Sequence, residues 1–286
     1  MQDQVTASVV GAIAPKMEQA EIERARRKPT ESLDAYDYYL QGMAKIYEVT
    51  EHANAEALRL LYKALELDPH YAPAYGMAAW CYAWRMLNGW MAERAKEVAE
   101  TARLARQAVE LGKDDAISLS MGGVALALVV GDVEDGAAFI DQALVRNPNL
   151  AAGWLFSGYV RILLGEPDVA VEHVARAMRL SPLDPFSYLA SNWVCAGHFF
   201  AGRYDEASSW AEKGLRERPN WAGAARIAAA SHALAGRLDQ AHRAMAQLRQ
   251  IDPALRVSDL RRMFPFRRPE DLARYEEGLR KAGLPE

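Results

Sequence analysis

The stretch Gly165-Glu-Pro-Asp-Val-Ala170-Val-Glu-His-Val-Ala-Arg-Ala177-Met-Arg-Leu-Ser-Pro182 decides how the chain is read, because its spacing returns three more times. Gly131, Gly202 and Gly236 precede Pro148, Pro219 and Pro253 by the same 17 residues. The small positions keep step as Gly136/Ala143, Ala170/Ala177 and Ala207/Gly214, and less strictly as Ala241/Leu248. The four prolines lie 34, 37 and 34 residues apart. A fixed period of this length marks a stack of helical units. Each recurring residue has a physical task. The glycine closes a first helix in the left-handed conformation, which costs it nothing. The acidic residue three places on (Glu134, Asp168, Asp205, Asp239) falls at the start of a second helix, where the dipole favours negative charge. Small residues let the two helices approach, and the proline ends the second one.

Two more units fit upstream with longer helices or turns. One carries Ala57, Ala64 and Pro69; the other carries Thr101 and Ala108, with Lys113 in the proline place. Downstream, 256–264 reads as a further first helix stopped by Pro265. Pro269 then opens an amphipathic helix with Leu272, Tyr275 and Leu279 on one face and Gly283 at its end. A stack needs its terminal apolar faces covered, so capping is the expected role. At the other end Val5, Val9, Ile13 and Met17 recur every four residues, and a charged stretch over 18–28 follows with no partner of its own. The expected organisation is an N-terminal linker helix over 1–34, the remnant of a preceding domain. Six repeats follow over 35–255 (35–71, 72–115, 116–150, 151–184, 185–221 and 222–255), then capping helices over 256–286.

These residues resemble the tetratricopeptide repeat. Over 151–184, Trp154, Gly158, Ala170, Ala177 and Pro182 stand in the matching places; over 35–71, Tyr38, Gly42, Ala57, Ala64 and Pro69 do so. The second-helix aromatic of that pattern is replaced by Leu61, Ile140, Val174, Ala211 and Met245, and the unit over 72–115 is long for its class. The resemblance implies an all-α, right-handed superhelical solenoid of helix hairpins.

A second resemblance covers the two ends. The run from Ala20 to Gly42 (AEIERARRKPTESLDAYDYYLQG) is similar to the junction that leads into the repeats of certain bacterial class III adenylate cyclases. In those proteins a cyclase domain is followed by a TolB-like segment and then by tetratricopeptide repeats. The closing run from Phe266 to Pro285 resembles the ends of the same proteins, and of some winged-helix regulators. This implies a regulatory C-terminal region without a cyclase domain of its own.

Composition fits a soluble chain. Of 286 residues, 51% are hydrophobic and 25% charged, and the net charge of −4 advertises neither nucleic acid nor an anionic membrane as partner. The longest apolar runs, 77–84 and 124–130, are far short of the roughly 20 residues that span a bilayer. The start lacks the positive segment of a secretion signal. Cys81 and Cys195 each lie in an apolar helical stretch, which favours buried free thiols in a reducing, cytoplasmic setting.

Chemistry is sparse. The six histidines include no pair four residues apart, and no cysteines stand at metal-ligand spacing, so neither metal nor cofactor is expected. His198 and His232 lie on neighbouring first helices, as ordinary packing and surface residues or as a shared ligand or switch pair. Asp132-Val-Glu-Asp-Gly136 lacks the ligand spacing of a calcium loop. No nucleophile elbow, phosphate loop or dinucleotide fingerprint appears, and no enzyme is expected.

In this repeat family the first helices line a concave wall. Their ninth positions here are Met43, Trp80, Val124, Tyr159, Trp193 and Ala230, with Tyr36, Tyr39, Tyr47, Trp84, Leu155, Leu163, Phe186 and Leu189 nearby. These side chains either pack the superhelix or form an aromatic groove for a peptide. Part-exposed rings are expected at Trp80 and Tyr159, with Trp193 more buried. Arg256, Arg261, Arg262, Arg267 and Arg268 crowd the C-terminal end, as a solvated edge or a docking patch. The expected function is a protein-interaction and regulatory module, binding a protein segment or a neighbouring domain of the parent. The alternative is a sensor that closes the groove on an apolar small molecule.

Overall fold

A computed structural model of the chain describes residues 16–28, 33–182 and 187–286. Among them helices follow one another and no strand occurs. Helix α1 covers 16–27. It is followed by α2 (Ala35–Ile46), α3 (Glu51–Leu67), α4 (Ala72–Asn88), α5 (Arg94–Leu111), α6 (Ala116–Ala125) and α7 (Val133–Arg146). Next come α8 (Ala151–Leu164), α9 (Pro167–Leu180), α10 (Ser187–Phe200), α11 (Tyr204–Glu217), α12 (Ala222–Leu234), α13 (Leu238–Ile251), α14 (Val257–Met263) and α15 (Pro269–Lys281). They form two compact units. Unit 1 is Met1–Ser157 with Arg176–Pro185; unit 2 is Gly158–Ala175 with Phe186–Glu286.

The repeated glycines behave as their spacing predicts. Gly131, Gly165, Gly202 and Gly236 all take positive φ between 77° and 90°, a region that any side chain would strain. Glu134, Asp168, Asp205 and Asp239 lie in the first turns of α7, α9, α11 and α13. Pro148, Pro219 and Pro253 follow the ends of α7, α11 and α13 by two residues. Within unit 1, α2 packs on α3, α4 on α5 and α6 on α7; within unit 2, α10 packs on α11 and α12 on α13. The small positions are what permit it. A Cβ on Gly158 would come within 2.4 Å of the Val174 side chain, and one on Gly123 within 2.7 Å of the Gly136 carbonyl.

The aliphatic residues that replace the second-helix aromatic, Leu61, Ile140, Val174, Ala211 and Met245, are all buried. They fill the same layer, each larger one contributing about 1.5–3 kcal/mol. The long unit over 72–115 owes its length to helices of 17 and 18 residues. A widened turn at Leu126–Val130, where Gly131 N–H donates to Leu126 O at 3.0 Å, precedes Gly131. Two aromatics cap the turns before their own helices: Tyr75 Oη donates to Pro69 O (3.2 Å) and Trp154 Nε1 to Pro148 O (2.8 Å).

The ends fold back on the hairpins. Val5, Val9 and Ile13 lie outside the described residues, and Met17 is exposed. The charged stretch 18–28, expected to lack a partner, is instead a helix with one. Ile22 and Ala25 are buried, Gln41 Nε2 donates to Ala25 O (3.2 Å), and the hydroxyls of Tyr36 and Tyr47 donate to Glu21 and Glu18. Lys28 Nζ also donates to buried Asp37 at 2.5 Å. The C-terminal segment does the same in unit 2. Arg267 N–H donates to Leu163 O (2.8 Å), and Arg274 Nη1 to Phe200 O (2.7 Å).

Candidate functional site

The expected aromatic wall is closed. Trp80 is 0% exposed, with its ring 4.7 Å from Phe156 and 5.8 Å from Trp84, which is buried too. Tyr159 is 6% exposed and packs on buried Trp193 at 5.0 Å. Tyr39, Met43, Val124, Leu155, Leu163, Leu189 and Ala230 are buried as well. Tyr47 is half-buried and Tyr36 alone counts as exposed, both with hydroxyls engaged by α1. Phe186 lies outside the described residues. The part-exposed rings expected at Trp80 and Tyr159 are therefore corrected. The first helices do carry these aromatics, but the rings fill one another's space, and the chain's own ends cover what remains. An apolar groove open to a ligand is not what these side chains form.

In unit 2 the covering element is α15. Tyr275 wedges among Phe199 (5.5 Å), Phe200 (5.8 Å) and Phe264 (5.9 Å). Gly278 sits so close to α12 that a Cβ there would be 2.9 Å from Ala230, a ninth-position residue. The C-terminal helix thus lies along first helices, a placement that its capping role did not predict. Beneath it stands Arg226 of α12, which the sequence reading passed over. It is 3% exposed, its guanidinium lies 5.5 Å from the Phe264 ring centre, and its charge opposes the upward pull of burial on the Tyr275 hydroxyl. Its Nε has no hydrogen-bond partner among the described residues, and neither does the Tyr159 hydroxyl or Asn192 Oδ1. Burial pushes the Tyr159 hydroxyl well above its ordinary range, with Arg226 pulling the other way.

His198 and His232 are each held by their own arginine. Arg203 Nε donates to His198 Nδ1 (2.9 Å) and its Nη1 to Asp168 of the preceding hairpin (2.7 Å). Arg237 repeats this with His232 Nδ1 (3.1 Å) and Asp205. The signal was available: both stretches read His-x-x-x-Gly-Arg, 34 residues apart. At the equivalent place Arg161 and Glu166 pair at 2.9 Å with the chemistry changed. Burial first, then the adjacent arginine, lowers the pKa of both histidines.

All five C-terminal arginines are exposed. Arg256 donates to the carbonyls of Pro253, Ala254 and Leu255; Arg262 pairs with Asp259; Arg268 pairs with Glu270 at 2.8 Å and reaches Gly165 O at 3.2 Å. Cys81 and Cys195 are free and buried, and burial pushes the Cys81 thiol up to about 12. Among the described residues no group of three His, Cys, Asp or Glu side chains could hold a metal, and no helix is long and apolar enough to cross a membrane.

No protein-family model matches the chain. In fold it is similar to the Cut9–Hcn1 hetero-tetramer of the APC/C, with a TM-score of 0.63 over 98% of this chain and 48% of that one, at 15% identity. The chain has the tetratricopeptide-repeat fold, an α–α superhelix of hairpins. In sequence it is similar to the Rhizobium meliloti (strain 1021) protein named "Putative adenylate cyclase 3", 26% identical over 110 residues, 38% of this chain. It is also similar to the transcriptional regulator HilA of Salmonella typhimurium (strain LT2), 20% identical over 167 residues, 58% of this chain. These matches span 19% and 30% of the relatives' own lengths.

Proposed function

We propose that this chain is a non-catalytic protein-interaction module. In this reading it is the regulatory region of a bacterial cytoplasmic signalling protein of the adenylate cyclase type. It docks an acidic segment of a neighbouring domain of its parent at the edge formed by Arg256, Arg261, Arg262, Arg267 and Arg268. One observation carries the choice of surface: these five guanidinium groups are exposed while the aromatic wall is packed. A charged edge acts through long-range attraction, so binding should weaken as salt rises. The likeness to a cyclase supports the parent, and the likeness of fold to a subunit solved in a hetero-tetramer supports the class of function.

The test is calorimetric titration of the chain with the polypeptide encoded upstream in its own reading frame. Binding should be salt-sensitive and weaken more than about tenfold in the R261E/R262E/R267E variant. Unchanged affinity in that variant would reject the arginine edge. An upstream reading frame without an output domain would reject the signalling assignment.

A further inference from the structure

Arg226 poses a problem of charge. A guanidinium cannot shed its proton to escape burial, as a lysine or histidine can. Among the described residues no acidic side chain pairs with Arg226, and its contacts are the Phe264 ring face and one neutral phenol. A ring face attracts a cation but does not neutralise it. Two donors in this region, Arg226 Nε–H and the Tyr159 hydroxyl, are buried without an acceptor among the described residues. Buried donors in folded proteins are almost always paired, so an unused set around a lone positive charge describes the group that would complete it. It must accept hydrogen bonds, offer none, and be negative. A carboxylate meets all three conditions and matches the planar guanidinium.

We propose that Arg226, with Tyr159 and Tyr275, forms a binding site in unit 2 for a short-chain carboxylic acid, roofed by α15. Enclosure selects the size of the ligand. Arg226 and Tyr159 are 3% and 6% exposed, so an acidic side chain of a docked protein would have to displace α15 to reach them, and the ligand inferred is an acid of a few carbons. The Trp193 and Phe264 rings supply apolar walls for its alkyl end.

The probe is butyrate, with butyramide as its neutral counterpart and sodium chloride as the ionic-strength control, added to the whole chain. Butyrate should raise the melting temperature saturably; butyramide and chloride at the same concentrations should not. Arg226→Met should weaken butyrate binding by more than about tenfold, and Tyr159→Phe, which removes one oxygen, by about three- to tenfold. An Nε–H resonance assigned to Arg226 by its loss in Arg226→Lys should shift on addition of butyrate to the unmodified protein, a readout independent of how any variant folds. A response shared by butyramide, retention of binding in Arg226→Met, or an Nε–H resonance indifferent to butyrate, as an ordered water alone would leave it, would overturn the site.

Discussion

Two arginines stand on first helices, half-buried Arg85 in unit 1 and buried Arg226 in unit 2, and their surroundings are opposite. Arg85 Nε donates to Asn54 Oδ1 (2.9 Å) and Nη1 to Glu97 Oε2 (3.1 Å). The other Glu97 oxygen accepts the Ala92 and Glu93 amides at 2.9 and 3.1 Å, and Asn54 Nδ2 donates to Cys81 O. That charge is neutralised within a connected network. Arg226 has a ring face and a phenol instead. The same repeat therefore fills its inner layer in two ways. Unit 1 uses its own helices, with Trp80 against Trp84 and Phe156; unit 2 uses the returning α15 and keeps a positive charge without a counterion among the described residues. A buried charge built into one fold network is structural, and one left without an acid points outward to a ligand.

Three experiments can break that comparison. The largest effect is expected from Trp80→Ala, which empties the tightest part of unit 1 and should cost about 3–5 kcal/mol in urea unfolding. A loss under about 1 kcal/mol would mean that the inner layer is not a packed core there. Next, Glu97→Gln leaves Arg85 facing an amide and should cost about 3 kcal/mol. Arg226→Met removes an unpaired charge and should be neutral or stabilising by about 1 kcal/mol. Equal losses in the two variants would erase the difference between the arginines.

The smallest effect concerns pH and belongs to unit 2. His198 and His232 accept from Arg203 and Arg237, and their folded pKa values lie below the ordinary 6.5; in unit 1, His52 and His70 are exposed. Lowered values mean that the unfolded chain binds protons first as pH falls. Stability is then complete above about pH 6.5 and declines as pH drops from there toward the folded values. Melting temperatures should fall between pH 7.5 and 5.5, and His198→Gln/His232→Gln should flatten that slope. A slope unaffected by the double change would place the proton uptake elsewhere.

The parts of the fold legible in the sequence are those fixed by local backbone demands. Gly131, Gly165, Gly202 and Gly236 announce left-handed turns, and Ala170 beside Gly158 announces close helix contact, whatever the rest of the chain does. Ala170→Trp should accordingly cost about 1–3 kcal/mol, while exposed Glu172→Ala stays within about 0.5 kcal/mol. What could not be read was the filling of the inner layer. Assigning Trp80 and Tyr159 to first helices says which way they face, not whether Phe156 or a returning helix meets them. Arg226 lies 33 residues from Trp193 and 49 from Tyr275, and nothing in that separation announces that the three share a region. The His-x-x-x-Gly-Arg pair was readable, but its meaning depended on an aspartate one hairpin away.

That last arrangement bears on how such a chain can grow. Asp168 meets Arg203 of the following hairpin, and Asp205 meets Arg237 of the one after. The hairpin in the middle carries both halves of the joint, an arginine for the neighbour before it and an aspartate for the neighbour behind. A tandem copy of its coding segment would therefore arrive with matching connectors at both borders, since the first Asp205 would face the copied Arg203 and the copied Asp205 would face Arg237. Lengthening the array needs a duplication and no new pairing, so the number of hairpins is free to drift during evolution while the chemistry of each junction stays the same.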